Sequence, residues 1–211
     1  MKSCTIFAGG EPVSRDAVDF SAVGKSLVIC ADRGYILAQN LGIRPDIVIG
    51  DFDSMDISLQ NTEKITVKTY PPEKDDTDLM LAVKEGFQGN CDDFTIYGAL
   101  GGRFDHTFGG IQSLAYIVNH RGKGRIISDT ENIEMFSKGK YQIKKEEDRY
   151  FSLFAFSQKV ENLTIKGAKY TVQNYTLEYD FPLGVSNEIT EDFAEISFKS
   201  GLLLAILSQK N

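Results

Sequence analysis

Two carboxylates one residue apart, Asp51 and Asp53, stand in the stretch Gly50-Asp51-Phe52-Asp53-Ser54, directly after the apolar run Ile47-Val48-Ile49. The run reads as a buried parallel strand, so the acids fall where a strand gives way to a loop. Ligands of open α/β sheets bind outside the carboxyl ends of their strands. Side chains alternate along a strand, so two acids separated by one residue at its end can point the same way. Two convergent carboxylates beside a phosphate-sized crevice suit a hard divalent cation, magnesium above all. Nucleotide chemistry is therefore the first expectation.

Other acids fall at similar places. Asp32 follows the apolar run 27–31, and Asp75, Asp76 and Asp78 follow 65–70 and open a helix. Asp105 follows the run 94–97, whereas Asp46 precedes its strand and belongs to the opposite end. Asp76, Thr77 and Asp78 also have a plainer reading as helix caps, because Asp and Thr accept bonds from the unpaired N–H groups of a first turn. The loop Gly98-Ala99-Leu100-Gly101-Gly102-Arg103-Phe104-Asp105-His106 adds glycines that let backbone N–H groups approach a phosphate at a helix N-terminus. Arg103 could add a bidentate phosphate contact, and Asp105 could cap the helix. His106 has three open readings: a phosphate contact, an acid–base group, or a packed residue that orders the loop.

Several alternatives are excluded. The loop does not match G-x-G-x-x-G, and Gly24-Lys25-Ser26 lacks the leading glycine of a P-loop and precedes a strand. There is no G-x-S-x-G elbow for a serine hydrolase. The second histidine, His120, lies at the polar end of a helix-like stretch and reads as a surface residue.

The elements that must position these groups divide the chain in two. Strand-like runs at 5–8, 27–31, 47–49, 65–69, 94–97 and 125–128 alternate with helix-like stretches at 35–41, 78–86 and 105–119. Such alternation predicts a Rossmann-like, mostly parallel sheet with helices on its faces. From about residue 132 helical periodicity disappears. Short runs rich in β-branched and aromatic residues follow at 141–144, 150–156, 162–165, 169–172, 194–198 and 202–207, punctuated by glycines. These predict an antiparallel β-sandwich. The expected domains are 1–130, α/β, and 131–211, all-β.

At 211 residues and a net charge of −7 the chain lacks the basic surface of a nucleic-acid binder. No apolar run approaches the roughly 20 residues of a membrane span. The opening MKSCTIFAGGEP turns polar too soon for a signal peptide. Cys4, Cys30 and Cys91 form no C-x-x-C pair and read as buried hydrophobes in a reducing compartment. A cytoplasmic protein is expected, and the glycosylation triplets at Asn162 and Asn174 read as chance matches.

Taken in order, Asp32-Arg33-Gly34, Pro45-Asp46-Ile47-Val48-Ile49-Gly50-Asp51-Phe52-Asp53-Ser54, Lys74-Asp75-Asp76-Thr77-Asp78 and Gly102-Arg103-Phe104-Asp105-His106 resemble the bacterial type of the thiamine pyrophosphokinase family. Gly167-Ala168-Lys169-Tyr170 and Gly184-Val185-Ser186-Asn187-Glu188 resemble that family's thiamine-side elements, and the likeness runs from about residue 4 to 200. It implies a nucleotide-binding domain followed by a thiamine-binding and dimerisation sandwich, a homodimer, and thiamine held between subunits. It implies transfer of the terminal diphosphate of ATP to the thiamine hydroxyl, giving thiamine diphosphate and AMP. Asp51, Asp53 and Asp78 would be catalytic and hold magnesium. Asp32, Arg33, Asp75, Thr77, Arg103, Asp105 and His106 would serve ATP. Tyr170, Ser186 and Asn187 would bind thiamine. Three positions depart from the family pattern: Arg33 replaces a common glycine, Leu79-Met80 replace a common carboxylate, and Tyr170 stands where tryptophan is usual. Arg33 either reaches the phosphates or points to solvent. Tyr170 is either a platform for the cationic rings or a core aromatic of a strand. The rival readings are γ-phosphate transfer giving ADP, a metal-stabilised interaction module, and an ATP sensor without turnover.

Overall fold

The computed structural model describes residues 1–50, 65–71, 73 and 75–210. Within it the chain forms two compact units, Met1–Asp129 and Thr130–Asn211. Among the described residues no helix is long and apolar enough to cross a membrane.

The first unit follows the alternation of its sequence. Strands β1 (Ser3–Phe7), β2 (Leu27–Ala31), β3 (Ile47–Gly50), β4 (Thr66–Thr69), β5 (Asp93–Tyr97) and β6 (Lys123–Ile127) are interleaved with α1 (Phe20–Val23), α2 (Gly34–Asn40), α3 (Asp78–Gln88) and α4 (Phe104–Asn119). The strands lie in the order β6-β5-β1-β2-β3-β4, and their pairings are parallel. Near-continuous apolar runs make this possible, since helices cover both faces of such a sheet. Ile6, Phe7, Ile29, Cys30, Val48, Ile49, Phe94 and Ile96 are fully buried. β4 is an outer strand and is mostly exposed.

β1 lies between β2 and β5, so the chain reverses its direction of travel across the sheet at this strand. That is a topological switch point, and the crevice outside the carboxyl ends of β1 and β5 is where a doubly wound sheet takes its ligand. Parallel pairing brings the carboxyl ends of β1, β2, β3, β4 and β5 to one edge. Asp46 belongs to the other edge, as expected, where its carboxylate accepts the Val28 N–H at 2.9 Å. The rejected P-loop string is a turn: Gly24 caps α1, and Ser26 bonds the Val23 carbonyl and the Thr5 hydroxyl on its way into β2.

The second unit is a sandwich of two antiparallel sheets. Its strands are β7 (Glu131–Phe136), β8 (Gly139–Lys144), β9 (Arg149–Ala155), β10 (Lys159–Lys166), β11 (Val172–Glu178), β12 (Gly184–Asn187), β13 (Phe193–Phe198) and β14 (Leu203–Gln209). One sheet runs β12-β9-β14-β7 and the other β11-β10-β13-β8. Phe151, Leu153, Leu203, Ala205 and Leu207 from the first pack with Val160, Leu163, Ile165, Ala194, Ile196 and Phe198 from the second. The fold is thus the parallel α/β unit plus antiparallel sandwich that the sequence pattern predicts.

Two local differences matter. Of residues 169–172, read as a strand, Lys169 and Tyr170 form a bend instead, and β11 begins only at Val172. Gly167 is the cause: it adopts φ +70°, and a side chain there would strike the Phe193 carbonyl oxygen at 2.2 Å. Asn162 and Asn174, the two triplet asparagines, both take positive φ in the β10–β11 pair, whose register shifts between Val160 and Leu163 and again between Leu163 and Ile165. Asparagine tolerates that conformation better than most residues, which accounts for their presence in conformational terms.

Candidate active site

The switch-point edge is built mostly from backbone. The loop after β1 runs alongside the glycine loop after β5: Gly10 N–H donates to the Gly98 carbonyl at 2.7 Å and Glu11 N–H to the Leu100 carbonyl at 2.9 Å. Gly98, Gly101 and Gly102 all have positive φ. The Glu11 carboxylate accepts the Gly102 N–H at 3.2 Å. Gly9, Gly10 and Glu11 were not singled out as site residues, although a glycine pair directly after an apolar run is the signal that could have found them.

Asp32 ends β2 in the left-handed region, φ +49°, with its N–H bonded to the Ile49 carbonyl at 2.7 Å. A non-glycine residue there costs of order 1 kcal/mol. Arg33 follows, exposed, with its Cβ close over Gly9. At the start of α3, Thr77 is the N-cap, its hydroxyl accepting the Met80 N–H at 3.2 Å. Asp76 does not cap; both its oxygens face Lys84 Nζ, at 2.6 and 2.8 Å. Asp78 lies in the first turn, half-buried, and Asp75 is exposed just before it.

After β5, Arg103 occupies the N-cap position of α4 without a side-chain cap bond, and Asp105 sits in the first turn, where its Oδ1 accepts the His106 N–H at 3.0 Å. The guanidinium instead grips Asp105, with Nε 3.2 Å from Oδ1 and the second bond to Oδ2. This hydrogen bonding holds the Asp105 carboxyl below its ordinary range and raises the Arg103 guanidinium. Both side chains are exposed, so the pair is weak and can open to a competing anion. His106 is exposed, which removes the packed reading of this ring. His120 is a surface residue, as expected, stacked on Tyr116 at 3.9 Å between ring centroids.

Asp51 and Asp53 follow β3 directly in sequence but lie outside the described residues, as does Lys74. Among the described residues no three acids, histidines or cysteines form a ready metal cage. Magnesium seldom needs one, being held by one or two carboxylates together with phosphate oxygens and water. The carboxylates at this edge, Asp78 among those described, have the hard oxygen donors that fit it. The three cysteines are buried free thiols. The bond with Cys91 and burial push the Cys4 thiol up, and burial pushes Cys30 up, so neither is a ready nucleophile.

In the sandwich unit, Tyr170 sits on the bend after Gly167 and is 62% exposed, which excludes the core reading. Lys169 Nζ lies 5.7 Å from its ring centroid. Ser186 has φ +55°, and its N–H donates to the buried Ser152 hydroxyl at 3.0 Å. Asn187 is buried, with its amide bonded to both backbone groups of Tyr170. Glu188 is clamped between Lys169 and Lys210, at 2.8 and 2.7 Å. Those two bonds hold its carboxyl down at about 2.

The first unit is a doubly wound sheet with a glycine-lined switch-point edge, the architecture of nucleotide-handling enzymes, and a separate β-sandwich follows it. Residues 22–126 match the family model described as the thiamin pyrophosphokinase catalytic domain, and residues 140–203 match its vitamin B1 binding domain. The thiamine pyrophosphokinase of Bacillus subtilis is 35% identical over 99% of both chains. The crystal structure of a thiamine pyrophosphokinase from that organism superposes with a TM-score of 0.89 over the whole of both chains, at 33% identity. That of Geobacillus thermodenitrificans gives 0.86 at 26% identity, covering 99% of this chain and 98% of its own. The chain belongs to the thiamine pyrophosphokinase family. It is accordingly a transferase that forms thiamine diphosphate with ATP as co-substrate.

Proposed function

We propose that the chain moves the two terminal phosphates of ATP as one group, with the nucleotide at the switch-point edge and thiamine at the Tyr170 bend. The observation that carries this is the meeting of the β1 and β5 glycine loops beside Asp32, Arg103 and the start of α3. The thiamine hydroxyl oxygen bonds to the β-phosphorus, the bond from that phosphorus to the α,β-bridging oxygen breaks, and AMP leaves. The hydroxyl proton passes to a carboxylate, Asp53 or Asp78. Such a reaction asks for positioning and charge neutralisation more than for covalent help.

Each residue has a part in this scheme. Asp51, Asp53 and Asp78 would hold magnesium, which neutralises triphosphate charge. Asp32, Arg33, Asp75, Arg103, Asp105 and His106 border the nucleotide, with Arg103 leaving Asp105 for a phosphate. Thr77 acts by fixing the start of α3. The Tyr170 ring faces the cationic thiamine rings, and Ser186 holds the pyrimidine. A homodimer with thiamine between subunits and a cytoplasmic location complete the proposal. The buried free thiols suit a reducing compartment, and the exposed apolar side chains Tyr179, Phe181, Leu183 and Val185 suit a subunit interface.

Product analysis tests the reaction. Thiamine with Mg-ATP should yield AMP and thiamine diphosphate; ADP with thiamine monophosphate would overturn the proposal. Asp53→Asn should lose most turnover while keeping the fold by circular dichroism, and near-normal turnover would remove Asp53 from the site.

A further inference from the structure

Asn187 looks like a ligand residue by position, because it adjoins Ser186 on β12. Its side chain is already committed. Oδ1 accepts the Tyr170 N–H at 2.9 Å and the Glu188 N–H at 2.8 Å, and Nδ2 donates to the Tyr170 carbonyl at 2.7 Å. The residue is 5% exposed. An amide can make four hydrogen bonds, so three of the four are internal. Two of them close a ring on Tyr170, giving its backbone the partners that a neighbouring strand would otherwise supply. The rest of the bend is tied to the same strand end. Lys169 N–H donates to the Glu188 carbonyl at 2.9 Å, its ammonium pairs with the Glu188 carboxylate, and Ala168 bridges to Ile189.

We propose that Asn187 is a positioning residue that fixes the Tyr170 platform, and that it acts on thiamine through Tyr170 rather than by direct contact. This rests on the placement of thiamine at Tyr170. A ring 62% exposed on an irregular bend has little packing of its own to hold it, and the buried amide supplies the missing constraint. Holding a platform in its binding orientation before the ligand arrives reduces the ordering cost of binding.

The chain has no tryptophan, so Tyr170→Trp introduces a single fluorescent reporter at the platform. In that background Asn187→Ala should lower the steady-state anisotropy of the tryptophan measured without ligand. It should also raise the KM for thiamine about tenfold, as expected for lost buried hydrogen bonds, and leave the KM for ATP unchanged. A general loss of stability would not separate the two substrates in this way. In a Tyr170→Ala background the same substitution should add little, since the two residues act as one. Unchanged anisotropy and thiamine KM would overturn the inference, as would an effect on thiamine that simply adds to that of Tyr170→Ala. Asn187→Asp guards against a variant that fails to fold. Measured at a pH where the new carboxyl is ionised, it keeps an acceptor for both N–H groups and sets an oxygen against the Tyr170 carbonyl in place of the donor, so it too must loosen the tryptophan, and no change in it overturns the brace. Normal turnover by Tyr170→Trp with no response of its emission to thiamine would instead sink the placement of thiamine, while the ligand-free anisotropy still decides the brace.

Discussion

Glu188 sits between two ammonium groups beside the Tyr170 bend, and that arrangement makes the local structure sensitive to acid in a defined window. Its carboxyl is lowered from 4.5 to about 2 by Lys169 and Lys210. A carboxylate with a depressed folded-state value adds stability above its unfolded value and loses it as pH falls through the folded one. The stability difference between the wild type and Glu188→Gln should therefore be nearly constant from neutral pH to about 4.5, shrink as pH falls further, and vanish only below about 2. Urea midpoints of the sandwich unit across that range check this; a difference independent of pH would refute it. At this scale the sequence is most readable where a motif has one chemical meaning. Asp32, Thr77 and Arg103 are placed at the edge their motifs predict. Asn187 and Ser152 were less legible, because a hydrogen bond to another segment's backbone leaves no trace in spacing. A lone serine inside the otherwise apolar run 150–156 was the one hint of Ser152.

Among the elements, α2 packs closely against the edge that carries the site. Its first residue, Gly34, packs so close to the end of β1 that an added Cβ would lie 1.9 Å from the Phe7 carbonyl oxygen. Backbone cannot yield as a flexible side chain can, so α2 itself must move. Gly34→Ala should cost about 1–3 kcal/mol of stability, read as a lower urea midpoint. It should also weaken ATP binding, because Asp32 and Arg33 are carried on the same turn, while the KM for thiamine stays unchanged. Equal effects on both substrates would argue against that turn belonging to the nucleotide. The elements legible in the sequence were those with a continuous apolar run or a clear stripe: β2 coincides with its run of five, and α3 with its stripe. Three strands were not recognised: β7, where Glu131, Asn132 and Glu134 interrupt the apolar pattern, and β11 and β12. Val172–Glu178 is polar and mostly exposed, so neither alternation nor hydrophobicity marks it as a strand. β12 is four residues long and contains a left-handed serine. Both lie at the outer positions of their sheets, where fewer side chains are buried and the pattern fades.

For the whole molecule, the proposed homodimer makes a prediction that neither unit makes alone. If thiamine is held between subunits, Asp53→Asn and Tyr170→Ala damage different chains' contributions to one site. Mixing the two impaired proteins under exchanging conditions, at a thiamine level well below the raised KM of Tyr170→Ala, should recover part of the wild-type rate, because one hybrid site receives both intact residues. No recovery, with hybrid dimers shown to form, would place both contributions on the same chain. The parallel sheet of the first unit has a further consequence for how the chain is made. β1 leaves the ribosome well before β5, yet it is an inner strand, and Ser3 pairs with Asp93 in β5. Until that distant segment emerges, one edge of a buried inner strand has no neighbour, and such an edge invites pairing with other chains. Nascent chains stopped short of β5 are thus the form of this protein most in need of chaperone cover.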